Sequence, residues 1–314
     1  MKLTEIVNRY VVFKQSMGMC FDTEARILKY FSRKIGDRDI TEVDPSSVLG
    51  YIAGTGPVTS FWHRKFAVLN GFYHFATSRD YAISSPLPKT VPKHPPPLVP
   101  YIYTTAELRR LLEAAETLKN QRRLPGATLR ILLLTLYGAA LRISEALLLT
   151  RGDVDLNASL LTIRDSKFYK TRLVPIGPRL TAELHAYAQK RRRLPCPEGT
   201  KSTFFATRVG TPIKRSCIEW NFRRLCTFAG IRRCDGGRFQ PRIHDIRHAA
   251  AVHRIVAWYR QGADVQRLLP HLSTYLGHVG IAGTQRYLTM TPELLQEANC
   301  RFERYALSEV NYVQ

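Results

Sequence analysis

The sequence predicts two α-rich domains, the second of which carries a small antiparallel β-sheet. Three observations lead there. Apolar residues recur at helical spacing through most of the chain, a proline-dense stretch interrupts it at residues 86–100, and two short segments alternate as strands do. The 314 residues leave room for two hydrophobic cores, and a hydrophobic content of 45% argues against a largely disordered chain.

Residues 1–85 read as short helices. Leu3, Ile6, Val7, Tyr10, Val11 and Phe13 set one apolar stripe, and residues 23–35 set a second. Asp44 ahead of Pro45 opens a third, because proline at the first helical position gives up an N–H that would lack a partner anyway. The fourth spans residues 59–78, where Phe61, Phe66, Leu69, Phe72, Tyr73 and Phe75 are interleaved with His63, Arg64 and Lys65. Seven of the fifteen residues 86–100 are proline, which fixes φ and removes donors, so an extended, semi-rigid linker is expected. At ~3.1 Å per residue it reaches on the order of 45 Å.

The second domain is expected over residues 101–314. Thr104 and Glu107 have the spacing of a capping box that leads into Leu108, Leu111 and Leu112. Residues 127–137 are apolar nearly all round, as in a central buried helix, and residues 141–149 form a second helical piece ending near Gly152. Residues 160–163 and 172–176 read as two short strands joined by a turn at 165–170. Helices return at 178–193, 214–229, 244–260, 264–276 and 292–305.

Charge narrows the partner. Lys and Arg number 47 against 25 Asp and Glu, a net charge of +22, which favours a polyanion: nucleic acid or an acidic membrane surface. By residue 95 there are 13 basic and 8 acidic side chains, so +17 of the charge lies beyond the linker. The longest apolar stretch, residues 131–141, is too short to span a bilayer, and the N-terminus has an early acid and no apolar core of a signal peptide. Nucleic acid is therefore the expected partner, and the cytoplasm, in association with a bacterial nucleoid, the expected location. The cysteines (Cys20, Cys196, Cys217, Cys226, Cys234, Cys300) have no Cys-x-x-Cys spacing and read as buried or semi-buried free thiols. Cys226, Cys234 and His244 match no usual zinc spacing. His244 and His248 are four apart, but no Glu follows His244 as in His-Glu-x-x-His. No metal or cofactor is expected.

Six polar residues stand out in order: Arg142, Lys167, His244, Arg247, His278 and Tyr287. Each alone has an ordinary reading as a solvated cation or a buried ring. Together they hold what is needed to break a phosphodiester without metal. Arg142 and Arg247 are candidate clamps for a phosphate whose charge grows during displacement. Glu145, three residues past Arg142 and expected on the same helical face, is placed to orient its guanidinium or to form an ordinary surface pair. Lys167, in the expected hairpin turn, is the candidate general acid, with Lys170 its rival. His244 and Arg247 share a face at a helix start, and His244 either accepts a tyrosine proton or hydrogen-bonds the phosphate. Tyr287 is the candidate nucleophile, with Tyr275 as rival; a phenol of pKa ~10 needs cations and a base nearby. The arginines at 191–193, 223–224 and 232–233 are candidate phosphate contacts or base readers.

Ala-Leu-Arg142-Ile-Ser-Glu145, Lys167 before Arg-Leu-Val-Pro-Ile, His244-Asp-Ile-Arg247-His248, Leu-Gly-His278 and Thr-Gln-Arg-Tyr287 resemble the tyrosine recombinase (phage integrase) family over nearly all of residues 101–295. The resemblance implies a helical core-binding (SAM-like) DNA-binding domain at 1–85 and an α+β catalytic domain, together a C-shaped clamp around double-stranded DNA. It implies a 3′-phosphotyrosyl intermediate on Tyr287, Arg142 and Arg247 on the scissile phosphate, Lys167 as acid, and His244 and His278 completing the site. It also implies a homotetramer on DNA, a monomer or weak oligomer when free, and a C-terminal segment (Pro292, Leu294, Leu295, Phe302) docked on a neighbouring protomer. The spacer from His248 to Leu-Gly-His278 is longer than the commonest Xer-type spacing. It resembles recombinases of transposable elements, where Leu-Pro-x-Leu-Ser-x-Tyr-Leu-Gly-His occurs. Type IB topoisomerases, which use a similar residue set, and a DNA-binding accessory protein with degraded chemistry are the alternatives.

Overall fold

Helices α1 (Leu3–Ser16), α2 (Asp22–Ile35), α3 (Pro45–Ala53) and α4 (Ser60–Thr77) close around one apolar core that includes Ile6, Leu28, Phe31, Ile52, Leu69 and Phe72. Their starts follow local chemistry. The Asp44 carboxylate accepts from Ser47 N at 2.9 Å, and the Thr59 hydroxyl accepts from Trp62 N at 3.4 Å, each satisfying an N–H that the helix itself leaves open. Tyr51, buried against Phe31, donates its hydroxyl to Ile27 O at 2.8 Å. The computed structural model describes residues 1–117, 124–166, 170–290 and 292–310, and the chain divides into two units, Met1–Pro97 and Leu98–Gln314.

In the second unit, α5 (Thr105–Thr117) starts on the expected capping box, with Thr104 N on Glu107 Oε2 at 2.9 Å and Glu107 N on Thr104 Oγ1 at 3.2 Å. Helix α6 (Gly126–Gly138) buries Leu129, Ile131, Leu132, Leu133 and Leu136, as its all-round apolar sequence requires. After α7 (Ile143–Leu148) come three strands, β1 (Val154–Asp155), β2 (Leu160–Ser166) and β3 (Lys170–Pro175), in one antiparallel sheet of order β1-β2-β3. Leu161 pairs with Val174 and Ile163 with Arg172; the register then shifts before Ser166. The strands run further into the expected turn than alternation suggests, and β1 is too short to carry a pattern. Five longer helices and one short one follow: α8 (Pro178–Arg191), α9 (Arg215–Phe228), α10 (Asp245–Arg260), α11 (Val265–Leu276), α12 (Ala282–Gln285) and α13 (Pro292–Val310).

Two cores share α10. The first gathers α5, α6, the sheet, α8, α9 and the start of α10; the second takes the rest of α10 with α11, Tyr287 and Leu294. Among the described residues no helix is long and apolar enough to cross a membrane. Two expected surface cations are structural instead. Arg191 is 1% exposed and donates to the carbonyls of Thr203 and Pro195; Arg233 is 9% exposed and donates to Val99 O at 2.9 Å while pairing with Asp235. Guanidiniums carry five donors, so they can stitch irregular backbone that has no ladder of its own. The expectation of buried or semi-buried thiols holds for Cys226, Cys196 and Cys217, whereas Cys20, Cys234 and Cys300 are exposed.

Candidate active site

The chain leaves α6 through Ala140, whose φ is 48°, and reaches Arg142 in extended conformation as the cap of α7. This corrects the expected helix from residue 141. Arg142 and Glu145 do not share a helical face; they close a cap. Glu145 Oε2 accepts Arg142 N at 2.9 Å and Oε1 accepts Arg142 Nη1 at 2.6 Å. Arg142 Nη2 donates to Gly277 O at 2.9 Å, and a quarter of the side chain stays exposed. The shape of this turn is settled from far away: Arg247, in the first turn of α10, donates Nη1 to Ala140 O at 2.7 Å and Nη2 to Leu276 O.

A third guanidinium completes the cluster. Arg172, on β3, donates Nη1 and Nη2 to the two Glu145 oxygens at 3.0 and 2.9 Å, and Nε to Tyr275 O at 3.2 Å. The successive carbonyls of Tyr275, Leu276 and Gly277 thus each receive one guanidinium. Gly277 is required twice over. It ends α11 in the left-handed region at φ 64°, and a Cβ there would lie 2.7 Å from Arg172 Nη1.

Burial by itself would raise the Glu145 carboxyl, but hydrogen bonds from Arg172 and Arg142 hold it at about 2. Burial lowers the Arg247 guanidinium to about 10, and the Arg142 charge pushes the same way while Glu145 opposes both. Three guanidiniums around one carboxylate leave an excess of positive charge. Each still has N–H groups free of these bonds, which suits them to non-bridging phosphate oxygens.

Tyr287 lies beside this cluster in a 3₁₀ turn, Arg286–Thr289, and is 1% exposed. Burial raises its pKa above the ordinary phenol value, against the charges of Arg247, Arg286 and Arg142. The His278 ring stacks on it at 6.2 Å between centroids and is held from behind, Nδ1 lying 2.7 Å from Oγ1 of the fully buried Thr284. His248 Nδ1 lies 3.0 Å from the Tyr287 hydroxyl, and His244 sits edge-on to His248 at 4.9 Å. Burial lowers all three imidazoles, and neighbouring positive charge adds to it: His244 to about 4, His248 to about 3 and His278 to about 4. They are neutral at pH 7, so the positive charge resides on the arginines.

The structure therefore brings Arg142, Glu145, Arg247, His278 and Tyr287 together, and joins His244 to Tyr287 by way of His248. Lys167 lies outside the described residues. Tyr275 is turned elsewhere: its hydroxyl donates to Pro175 O at 3.2 Å. Sequence reasoning misses Arg172, Thr284 and the contact of His248 with Tyr287. His248 carries a signal, its four-residue spacing from His244, but in the sequence that spacing points only to a metal pair.

An α-rich catalytic domain with a three-stranded sheet, a buried tyrosine and a cluster of guanidiniums is the architecture of a tyrosine recombinase. The phage integrase family model matches residues 102–293, and the chain belongs to that family, the tyrosine recombinases, which break and rejoin DNA strands. It is similar to the integrase/recombinase y4rB of Sinorhizobium fredii, 32% identical over 304 residues, covering 96% of both chains. It is also similar to the tyrosine recombinase XerC of Chlorobaculum parvum, at 28% identity over 86% of this chain and 84% of that one. In fold it is similar to the Tn1549 transposon integrase in complex with transposon right end DNA, with a TM-score of 0.70 at 16% identity over 98% of this chain and all of that one. A lambda integrase dimer bound to a COC′ core site gives a TM-score of 0.67 at 15% identity over 93% and 97%.

Proposed function

We propose that this chain is a site-specific recombinase of a mobile element, acting in integration, excision or transposition through a 3′-phosphotyrosyl intermediate on Tyr287. The observation that carries the reading is the Tyr287 hydroxyl 3.0 Å from the His248 imidazole, with His278 stacked on its ring, beside three guanidiniums gathered on Glu145. Arg142 and Arg247 take the non-bridging oxygens as phosphorus becomes pentavalent. The Tyr287 O–H gives its proton to a neighbouring imidazole, Oη–P forms, P–O5′ breaks, and Lys167 protonates the departing 5′ oxygen. The new ester conserves the bond energy, so the reverse attack rejoins the strand without ATP.

Double-stranded DNA is the proposed partner. The net charge of +22 fits it, as does the DNA held by the lambda and Tn1549 integrases. Residues 1–85 act as the core-binding domain, 86–100 as the linker and 101–314 as the catalytic domain. The mobile-element reading rests on Leu-Pro-His271-Leu-Ser-Thr-Tyr-Leu-Gly-His278 and on the likeness to integrase/recombinase y4rB.

The test is a nicked suicide substrate carrying the recombination sites of the protein's own element. A covalent protein–DNA adduct that resists denaturant is expected. Its absence would leave an accessory DNA-binding protein, and equal relaxation of plasmids with and without those sites would make the chain a topoisomerase. Lys167→Ala should slow cleavage by about 10²-fold or more, the usual range for a lost general acid. Lys170→Ala should slow it far less, and equal losses would move the acid assignment off Lys167.

Assembly on DNA as a homotetramer, with the free protein a monomer or weak oligomer, is proposed to use α13. The start of α13 is bound to its own chain: Leu294 is buried, and Glu293 and Glu297 pair with Arg260 at 2.6 and 2.8 Å. Further along, Leu295 and Phe302 are exposed on the surface. Phe302→Glu should leave the melting temperature of the free protein unchanged and reduce assembly on paired sites, read by sizing the complex. Unaltered assembly would show that α13 covers only its own core.

A further inference from the structure

We propose that His248 is the proton acceptor for Tyr287, a catalytic residue additional to Arg142, Lys167, His244, Arg247, His278 and Tyr287. The proposal rests on Tyr287 being the nucleophile.

Geometry is the first argument. Nδ1 of His248 lies 3.0 Å from the hydroxyl that must lose its proton, within the reach required of a general base. His248 follows Arg247 in the first turn of α10, so base and phosphate clamp ride on one rigid element. His244, one helical turn earlier, meets the His248 ring edge-on at 4.9 Å, whereas it is His248 that reaches the hydroxyl.

The surroundings are the second argument. His244, Arg242 and Arg247 face His248 from α10 and the approach to it, and Arg286 and Tyr287 face it from the 3₁₀ turn. Burial and this positive field keep the imidazole neutral, free to accept. A phosphate entering at Arg142 and Arg247 brings negative charge that offsets the same field, so the proton affinity of His248 rises at the step that needs it. In that step the Tyr287 O–H breaks and its proton goes to His248 Nδ1. Oη–P forms, P–O5′ breaks, and the 5′ oxygen takes its proton from Lys167. Rejoining runs the same transfers backwards.

His248→Ala and His248→Asn test this on the suicide substrate, with DNA binding and melting temperature measured alongside. Both should form adduct about 10²- to 10³-fold more slowly than wild type at pH 7. The deficit should shrink by about tenfold per pH unit toward pH 9 as hydroxide takes over proton removal, while the wild-type rate stays flat. Asn offers a carboxamide oxygen in place of Nδ1 yet cannot hold the proton. Wild-type speed in His248→Asn, or a deficit independent of pH, would reduce His248 to a positioning role and overturn the proposal. A measurement on the unmutated protein stands beside these. ¹⁵N NMR should find the His248 proton on Nε2, and a proton on Nδ1 would overturn it whatever the variants do. Failure of the wild type to form adduct, or adduct in Tyr287→Phe, would instead overturn the nucleophile assignment.

Discussion

Tyr287→Phe should bind its DNA site within about twofold of wild type and form no covalent adduct, whatever the incubation time. The substitution removes one oxygen and keeps the ring that packs in the second core and under His278. The fold loses the hydroxyl's hydrogen bond to His248, about 1 kcal/mol by general experience, while the proposed chemistry loses its nucleophile. Tyr275→Phe is the matched control. It loses hydroxyl contacts with Pro175 O and Gly138 O, at 3.2 and 3.5 Å. Its adduct should form at near the wild-type rate, because the Tyr275 carbonyl that holds Arg172 remains. Adduct surviving in Tyr287→Phe and vanishing in Tyr275→Phe would reverse the assignment.

What can be read from the sequence is what local chemistry decides. Asp44, Thr59 and Thr104 cap their own helices within three residues, so those starts are visible. The all-round apolar α6 likewise announces its burial. Arg142 shows the limit. Its neighbours favour helix, but a carbonyl captured by Arg247, 107 residues on, sets Ala140 at positive φ and Arg142 extended. No local pattern encodes such a bond. Arg191 and Arg233 mislead for the same reason: in a chain with 47 Lys and Arg, a cation reads as surface until its carbonyl partners are known. Arg172 sits at an ordinary strand position, and its hold on Glu145 spans 27 residues.

Glu145→Gln should cost about 3 kcal/mol of stability at pH 7 and slow cleavage by about 10²-fold or more, although Glu145 need touch no substrate. The carboxylate is 7% exposed, accepts from Arg142 and Arg172, and lies 3.8 Å from Arg247. Its pKa falls from the ordinary 4.5 to about 2, and every tenfold loss of proton affinity corresponds to about 1.4 kcal/mol of preference for the charged form in the folded state. Gln keeps the shape and loses that charge, leaving three guanidiniums to repel one another at close range. Because the folded pKa is depressed, the contribution is complete above the ordinary pKa and drains away as pH falls through about 2. The gap in unfolding free energy between wild type and Glu145→Gln should therefore be constant from pH 7 down to about 5 and narrow below that. The kinetic loss follows from geometry, since a guanidinium displaced by ~1 Å can cost on the order of 10²-fold in rate. Glu145→Asp, with its charge kept and its reach shortened, should recover most of the stability and less of the rate. It also keeps the question open to measurement if Gln prevents folding. Wild-type stability and cleavage in Glu145→Gln would mean that the three arginines hold their places through the carbonyls of Ala140, Tyr275, Leu276 and Gly277 alone.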